Sequence, residues 1–202
     1  MTAPPSGRHV LVRVLVCAAA AVVAGLCWWN PTSPFGLDRA NAAYLSGDSD
    51  RARAIYEQVA GGWGLQGTRQ VAAERAALLH LEAGRGESAV HWLRVAIPLS
   101  AGADRTRLQR LLGFVYTSRF DDHRRAGEVY ADAADAAEAE ERDDDARTLG
   151  VEAARSYARA ESWDEAETAW NRVIPHLVEP GARAEAEAAV LRAAQRQTEA
   201  AE

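Results

Sequence analysis

Histidines and carboxylates are the side chains of this sequence that could carry acid–base or metal chemistry. No two histidines stand four residues apart, and the H-E-x-x-H spacing that places two zinc ligands on one helix face does not occur. The cluster Asp121-Asp122-His123 falls at a turn, where aspartate commonly caps a helix. The sequence has no G-x-S-x-G motif and no Gly-rich phosphate loop. We therefore expect no catalytic residue, no cofactor and no metal. The histidines are His9, His80, His91, His123 and His176.

The stretch 132–145 is the most acidic part of the sequence. Arg142 is its one basic residue. Such a run is typical of a solvated helix face, and Asp143, Asp144 and Asp145 would stabilise the N-terminus of the following helix through its dipole. Two alternatives are a docking surface for a basic partner and a weak divalent-ion site, although the EF-hand spacing is absent.

The overall charge is also acidic. All 23 basic residues are arginines, and 29 acidic residues give a formal net charge of −6. A nucleic-acid partner would need a basic face for its phosphate backbone, so this balance argues against one. Hydrophobic residues make up 48% of the sequence, which is enough for a packed core. We expect a folded domain that does not bind nucleic acid.

A four-residue apolar face recurs along the chain. Ala52, Ile55, Tyr56 and Val59 have the spacing that places them on one side of a helix. The alanines that begin successive copies of this face are 37, 37 and 40 residues apart. A period of this size is typical of stacked helix pairs. The later copies are Ala89, Trp92, Leu93, Ala96; Ala126, Val129, Tyr130, Ala133; and Ala166, Ala169, Trp170, Val173.

These copies define a repeat domain over residues 37–175. Pro31 and Pro34 predict that a non-helical linker, 30–36, precedes it. The glycine-rich stretch 61–67 predicts a hinge, because glycine disfavours helix. Residues 182–198 predict a lone helix that caps the array. The predicted repeats are residues 37–60, 69–98, 104–141 and 144–175.

The pattern resembles the tetratricopeptide repeat (TPR) family. The first copy matches the family's alternation of small and aromatic positions through residues 41–48 and the apolar face that follows them. His80 replaces an aromatic residue in the second copy, and the third copy lacks a glycine at its turn, 118–122, which is one residue longer than the others. The resemblance implies an all-α, right-handed solenoid of about four helix pairs. It also implies that the first helices line a concave face that binds proteins or peptides. The fourth copy matches through Ala154, Tyr157, Trp163, Ala166, Trp170 and Val173.

The resemblance further implies which residues contact a partner. Chaperone-binding members hold a terminal carboxylate with lysines and asparagines, whereas this chain has no lysine. Arg155 and Arg159 lie one helical turn apart and could clamp an acidic group together. The alternative is that these arginines pair with Glu152 and Glu161 on the protein's own surface. The positions on the first helices are Asn41, Tyr44, Glu74, Arg110, Phe114, Arg155 and Arg159.

Residues 10–29 form an apolar segment interrupted only by Arg13. A helix of this length spans about 30 Å, the thickness of the hydrocarbon core of a bilayer. Trp28 and Trp29 suit the membrane interface, and the basic flank places the tail 1–9 in the cytoplasm and the repeats outside. We expect a retained single-pass anchor in the cytoplasmic membrane. A cleaved signal peptide is the alternative, because small residues precede position 26.

Short repeat proteins with an N-terminal anchor and an Asn-Pro linker are similar to subunits of bacterial envelope complexes. The sequence therefore predicts a membrane-anchored adaptor or scaffold that mediates protein–protein interaction in such a complex. The alternatives are a cleaved, soluble periplasmic or secreted binding protein and, more distantly, an enzyme.

Overall fold

The computed structural model describes residues 34–201. This part of the chain contains no β-strand and consists of α-helices and two short 3₁₀ turns, at Ile97–Leu99 and Ile174–His176. The predicted all-α class is therefore confirmed for these residues. The helices are α1 (Pro34–Leu45), α2 (Ser49–Gly61), α3 (Gln66–Glu82), α4 (Gly86–Ala96), α5 (Gly102–Phe120), α6 (His123–Ala139), α7 (Asp143–Arg159), α8 (Trp163–Val173) and α9 (Pro180–Ala201).

The tail 1–9 and the predicted membrane segment 10–29 lie outside the described residues. Within 34–201, no helix combines the length and the apolarity that a membrane span requires. The chain divides into two compact units, Met1–Ala76 and Ala77–Glu202, and the boundary falls inside α3.

The first unit contains a helical hairpin formed by α1 and α2. Gly47 has a φ of 84°, a left-handed conformation that glycine adopts without strain, and it reverses the chain between the two helices. Asp48 then caps α2 by accepting a hydrogen bond from the Arg51 backbone N–H at 3.1 Å. Across the hairpin, the Tyr56 hydroxyl donates to Asn41 Oδ1 at 2.6 Å. The apolar face predicted for α2, from Ala52 to Val59, is buried as expected.

Three predicted segments, the linker, the cap helix and the hinge, have wrong bounds. The linker 30–36 extends too far, because α1 begins at Pro34; likewise α9 begins at Pro180, two residues before the predicted start of the cap, and runs on to Ala201. Proline fits the first helical position, where its missing N–H has no partner to lose. The hinge 61–67 is also shorter than predicted, because Gly67 lies in the first turn of α3.

The second unit repeats the hairpin turn with different residues. Gly84, Asp121 and Glu161 occupy its left-handed position, with φ of 73°, 53° and 56°. An aspartate with positive φ thus takes the place of glycine in the third repeat. That turn is also longer: the Asp122 N–H reaches Tyr116 O, six residues back. The corresponding bond from Ser162 to Tyr157 spans five, so the predicted extra residue is confirmed.

Glycines bring neighbouring helices of the second unit together. A Cβ added to Gly113 would lie 2.4 Å from Tyr130 Cζ on the next helix. A Cβ added to Gly127 would lie 2.8 Å from the Tyr157 ring. Each glycine therefore leaves room for a large aromatic side chain of the following helix.

The last three helices meet at Trp170. This side chain is buried on α8 between Ala154 of α7 and Ala186 of α9. The packed aromatic role predicted for Trp170 is therefore confirmed. His80 is also buried, as its place in the repeat predicts.

Candidate functional site

In the first unit, the predicted partner-contacting residues lie on two helices. Asn41 and Tyr44 are exposed on α1, and Glu74 is half-buried on α3. The side-chain oxygen of Asn41 already accepts the hydrogen bond from Tyr56. Asn41 therefore also contributes to the hairpin itself, whereas Tyr44 is exposed near the end of α1.

In the second unit, Arg110 of α5 faces two carboxylates of α7. Arg110 Nε lies 3.8 Å from Glu152 Oε2, and Arg110 Nη2 lies 4.0 Å from Asp145 Oδ1. At 3.8 Å, Nε and Oε2 are too far apart for a hydrogen bond, and both atoms are buried without another hydrogen-bond partner among the described residues. Arg110 thus forms a long ion pair that links two first helices.

A tyrosine lies near this pair. Burial and, to a smaller extent, the nearby Glu152 raise the pKa of the Tyr130 hydroxyl to about 12, while Arg110 partly offsets them. Burial also raises the pKa of the Glu152 carboxyl, while Arg110 and Arg155 lower it in part. Burial is the main cause of both shifts, in keeping with the buried Arg110 Nε and Glu152 Oε2 atoms between α5 and α7. The two first helices are therefore joined by a half-buried polar layer.

Three other predicted contact residues on α5 and α7 are more exposed than Arg110. Phe114, one turn after Arg110, is 59% exposed. Arg155 Nη2 lies 3.5 Å from Glu185 Oε1 of α9, and both side chains are more than half exposed. Arg159 is exposed, and no carboxylate of the described residues lies within ion-pair distance of it. The internal partners named in the alternative, Glu152 and Glu161, are not the ones found: Arg155 pairs with Glu185.

The second helices form the other side of the unit. Arg172 of α8 donates to both Asp135 and Glu138 of α6. These hydrogen bonds raise the pKa of Arg172. Arg124 of α6 lies 3.8 Å from Glu165 of α8, so arginines cross between the helices in both directions. A groove of about 370 Å³ runs between α6 and α8. Small residues of α7 form part of its lining: Ala146, Gly150 and Ala153.

The acidic stretch 132–145 is largely paired within the protein. Arg142 binds Glu140 at 3.0 Å and Asp145 at 2.6 Å, and it also donates to Thr106 Oγ1 at 2.7 Å. Asp144 pairs with Arg147 at 2.7 Å. Together with the two carboxylates that hold Arg172, these pairs favour the interpretation of a solvated helix face whose charge is partly compensated within the protein. No group of three or more potential metal ligands occurs among the described residues.

Sequence reasoning missed the residues that form ion pairs between helices. Arg172 and Asp135 are 37 residues apart, and Arg172 and Glu138 are 34 apart. Those separations approximate the spacing of the repeat, because equivalent positions of successive repeats are neighbours in a stack. Opposite charges at about one repeat period were the signal that could have identified them.

Comparisons with known proteins bear on the fold. No family model matches the sequence, and no curated protein matches it significantly. A kinesin light chain of Podosopora anserina with nearly identical TPR-like repeats superimposes with a TM-score of 0.51 at 17% identity, covering 85% of this chain and 90% of that one. This chain has a TPR-like fold.

A second solved structure is less similar. BtubC (BKLC) from P. vanneervenii gives a TM-score of 0.49 at 16% identity, over 79% of this chain and 77% of that one. The TPR-like fold accounts for the layout of the second unit, because first helices of successive pairs become neighbours on one side and second helices on the other. Arg110, Phe114, Arg155 and Arg159 share the first-helix side for this reason.

Proposed function

We propose that this protein is a membrane-anchored scaffold that holds an acidic segment of a protein partner on the first-helix side of its second unit. The observation that carries the proposal is the open set formed by Phe114, Arg155 and Arg159. An exposed aromatic ring and exposed cations on the same side of the unit suit a peptide that combines acidic and apolar side chains.

Arg155 and Arg159 are suited to this role because little holds them within the protein. The pair between Arg155 and Glu185 is exposed, and such pairs typically contribute about 0–1 kcal/mol. A partner carboxylate that binding shields from water would gain about 1.5–3 kcal/mol from a charge-assisted hydrogen bond. A partner can therefore displace the internal contact at little cost.

The binding test compares two double variants. Arg155→Ala with Arg159→Ala removes the open cations, whereas Arg124→Ala with Arg172→Ala removes the same charge from the second-helix side. Both proteins are tested for binding of a fluorescent peptide that alternates glutamate and leucine, and for capture of partners from detergent-solubilised membranes. We expect the first variant alone to lose binding while its helicity and melting stay unchanged. Equal binding by the first variant and the unmodified protein would contradict the proposed site.

The membrane part of the proposal concerns residues 10–29. We propose that this segment stays attached, with the repeats outside the cytoplasm, because its length and tryptophan edge suit a retained anchor. The protein should stay in the membrane pellet during alkaline carbonate extraction. A C-terminal reporter that works only outside the cytoplasm should be active. A soluble mature chain that begins near Leu26 would instead support the cleaved form.

A further inference from the structure

The loop between α2 and α3 displays two large apolar side chains to solvent. Trp63 is 94% exposed and Leu65 is 73% exposed. The residues between the helices are 62–65, and two of them are glycines. Exposing a tryptophan and a leucine so fully on a short loop is unfavourable in water unless another surface covers them.

The hairpin of the first unit determines where this loop lies. α1 and α2 are antiparallel, because the turn 46–48 joins them directly and Tyr56 of α2 bonds back to Asn41 of α1. Their lengths are nearly equal, 12 and 13 residues. The end of α2 therefore lies beside the start of α1, so the loop 62–65 lies beside Pro34.

Chain connectivity then limits the distance from this loop to the apolar segment 10–29. Only residues 30–33 separate that segment from α1. At the maximum reach of a chain, about 3.3–3.6 Å per residue, these few residues span less than about 20 Å. If the segment 10–29 lies in a bilayer, the start of α1 and the neighbouring loop lie near the bilayer surface.

The charge of the hairpin differs between its two ends. Residues 34–37 and 61–67 lie at the end of the hairpin that contains Pro34, and neither stretch contains a charged residue. The sequence of residues 30–33 contains none either. The nearest basic side chain that follows the loop is Arg69, and its Nε–H is turned back to donate to Ala60 O at 3.1 Å. The opposite end, by contrast, carries Asp48, Asp50 and Arg51. The uncharged end can approach lipid without removing ions from water, whereas the other end cannot.

We propose that the loop 62–65 inserts Trp63 and Leu65 into the interfacial layer of the bilayer that holds the segment 10–29. This inference rests on the proposed anchoring. Tryptophan suits the interface because its ring is apolar while its N–H can reach water or headgroups. The glycine-rich backbone stays at headgroup depth, where its polar groups keep hydrogen-bond partners. The loop thereby gives the first unit a second point of attachment and fixes its orientation.

The test uses a matched pair of leucines at opposite ends of the hairpin. Leu65 is 73% exposed on the loop, and Leu45 is 85% exposed at the far turn. Each is changed to cysteine in the full-length chain after Cys17→Ala and Cys27→Ala, and each is labelled with an environment-sensitive fluorophore. The proteins are reconstituted into phosphatidylcholine–phosphatidylglycerol vesicles, with or without lipids that carry a quencher near the headgroup. Flotation of the vesicles reports anchoring independently of the label.

We expect both proteins to float with the vesicles, and the Leu65→Cys label to be quenched several-fold more by the lipids than the Leu45→Cys label. Changing Trp63 to Ser should reduce the quenching at position 65 without affecting flotation. If the chains float but both labels remain in water, or both are quenched equally, the loop inference is wrong and the anchor stands. A blue-shifted Leu65→Cys label that lipid quenchers do not reach would mean that protein covers the loop, which also overturns the inference. If the chains do not float, the proposed anchoring fails, and the loop inference fails with it.

Discussion

On the second-helix side of the second unit, Arg172 is held by two carboxylates of the preceding repeat, whereas Arg155 on the first-helix side meets one carboxylate across an open surface. The two side chains are similarly exposed, at 48% and 52%. What differs is the number of acids that the neighbouring helix supplies. An arginine bound by two carboxylates of the preceding repeat stabilises the contact between repeats. An arginine with one exposed carboxylate remains accessible to a partner.

The first-helix side and the second-helix side are joined by a packed core that contains Trp170. Changing Trp170 is the strongest test of that core. Trp170→Ala should destabilise the protein by about 3–5 kcal/mol, because it removes the large side chain at which α7, α8 and α9 meet. Chemical denaturation followed by circular dichroism measures the effect. Trp63→Ala is the control and should change the stability by less than about 0.5 kcal/mol, because Trp63 packs against so little. Equal effects of the two changes would show that Trp170 does not join the two sides.

The glycine contacts between the two sides provide a second test. Gly127→Ala places a methyl group 2.8 Å from the Tyr157 ring and should cost about 1–3 kcal/mol through overpacking. The better helix propensity of alanine offsets about 1 kcal/mol of this cost. Gly67→Ala provides the control, since a Cβ there meets nothing within 4 Å. Urea midpoints should therefore fall for Gly127→Ala and rise slightly for Gly67→Ala; a rise for both would mean that the ring moves aside freely.

The arginines themselves are compared by a matched pair of substitutions. Arg172→Ala should lower the free energy of unfolding by up to about 1 kcal/mol, because it breaks two ion pairs between neighbouring repeats. Arg155→Ala should leave it within error, since it breaks one longer and exposed pair. Urea titrations with equal m-values decide between these outcomes. A larger loss for Arg155→Ala would reverse the roles assigned to the two sides.

The smallest expected effect is a pH dependence at Glu152. Burial raises the pKa of this carboxyl above its ordinary value of 4.5, so the folded state holds the proton more tightly than the unfolded state. Stability from this group is therefore present at low pH and is lost as the pH rises through the raised pKa. Glu152→Gln should become more stable than the unmodified protein as the pH rises from 4.5 through the raised pKa. Arg110→Gln should raise the pKa of Glu152 further, so that the loss of stability extends to higher pH. Stability measured from pH 4 to pH 8 checks this, and a difference between Glu152→Gln and the unmodified protein that stays constant with pH would contradict it.

Local features allowed much of the helical framework to be predicted. The spacing of Ala52, Ile55, Tyr56 and Val59 predicts a helix face, and that face is buried. The pair Asp121-Asp122 predicts a cap, and Asp122 accepts the hydrogen bond from the Arg125 N–H at 3.0 Å. The linker prediction failed at Pro34, which begins α1 rather than preceding it, and Pro180 begins α9 in the same way. A proline restricts the residues before it, but its own position fits a first helical turn.

The sequence by itself determined the all-helical class, the repeated apolar faces and the longer third turn, since these depend on interactions within a few residues. Only the tertiary structure decided which arginines are held and which are open. Arg110 and Glu152, like Arg172 and Asp135, are far apart in sequence and meet because successive repeats stack. The exposure of Trp63 was also decided by the tertiary structure. A tryptophan between glycines can be buried or exposed, and the sequence alone does not distinguish the two.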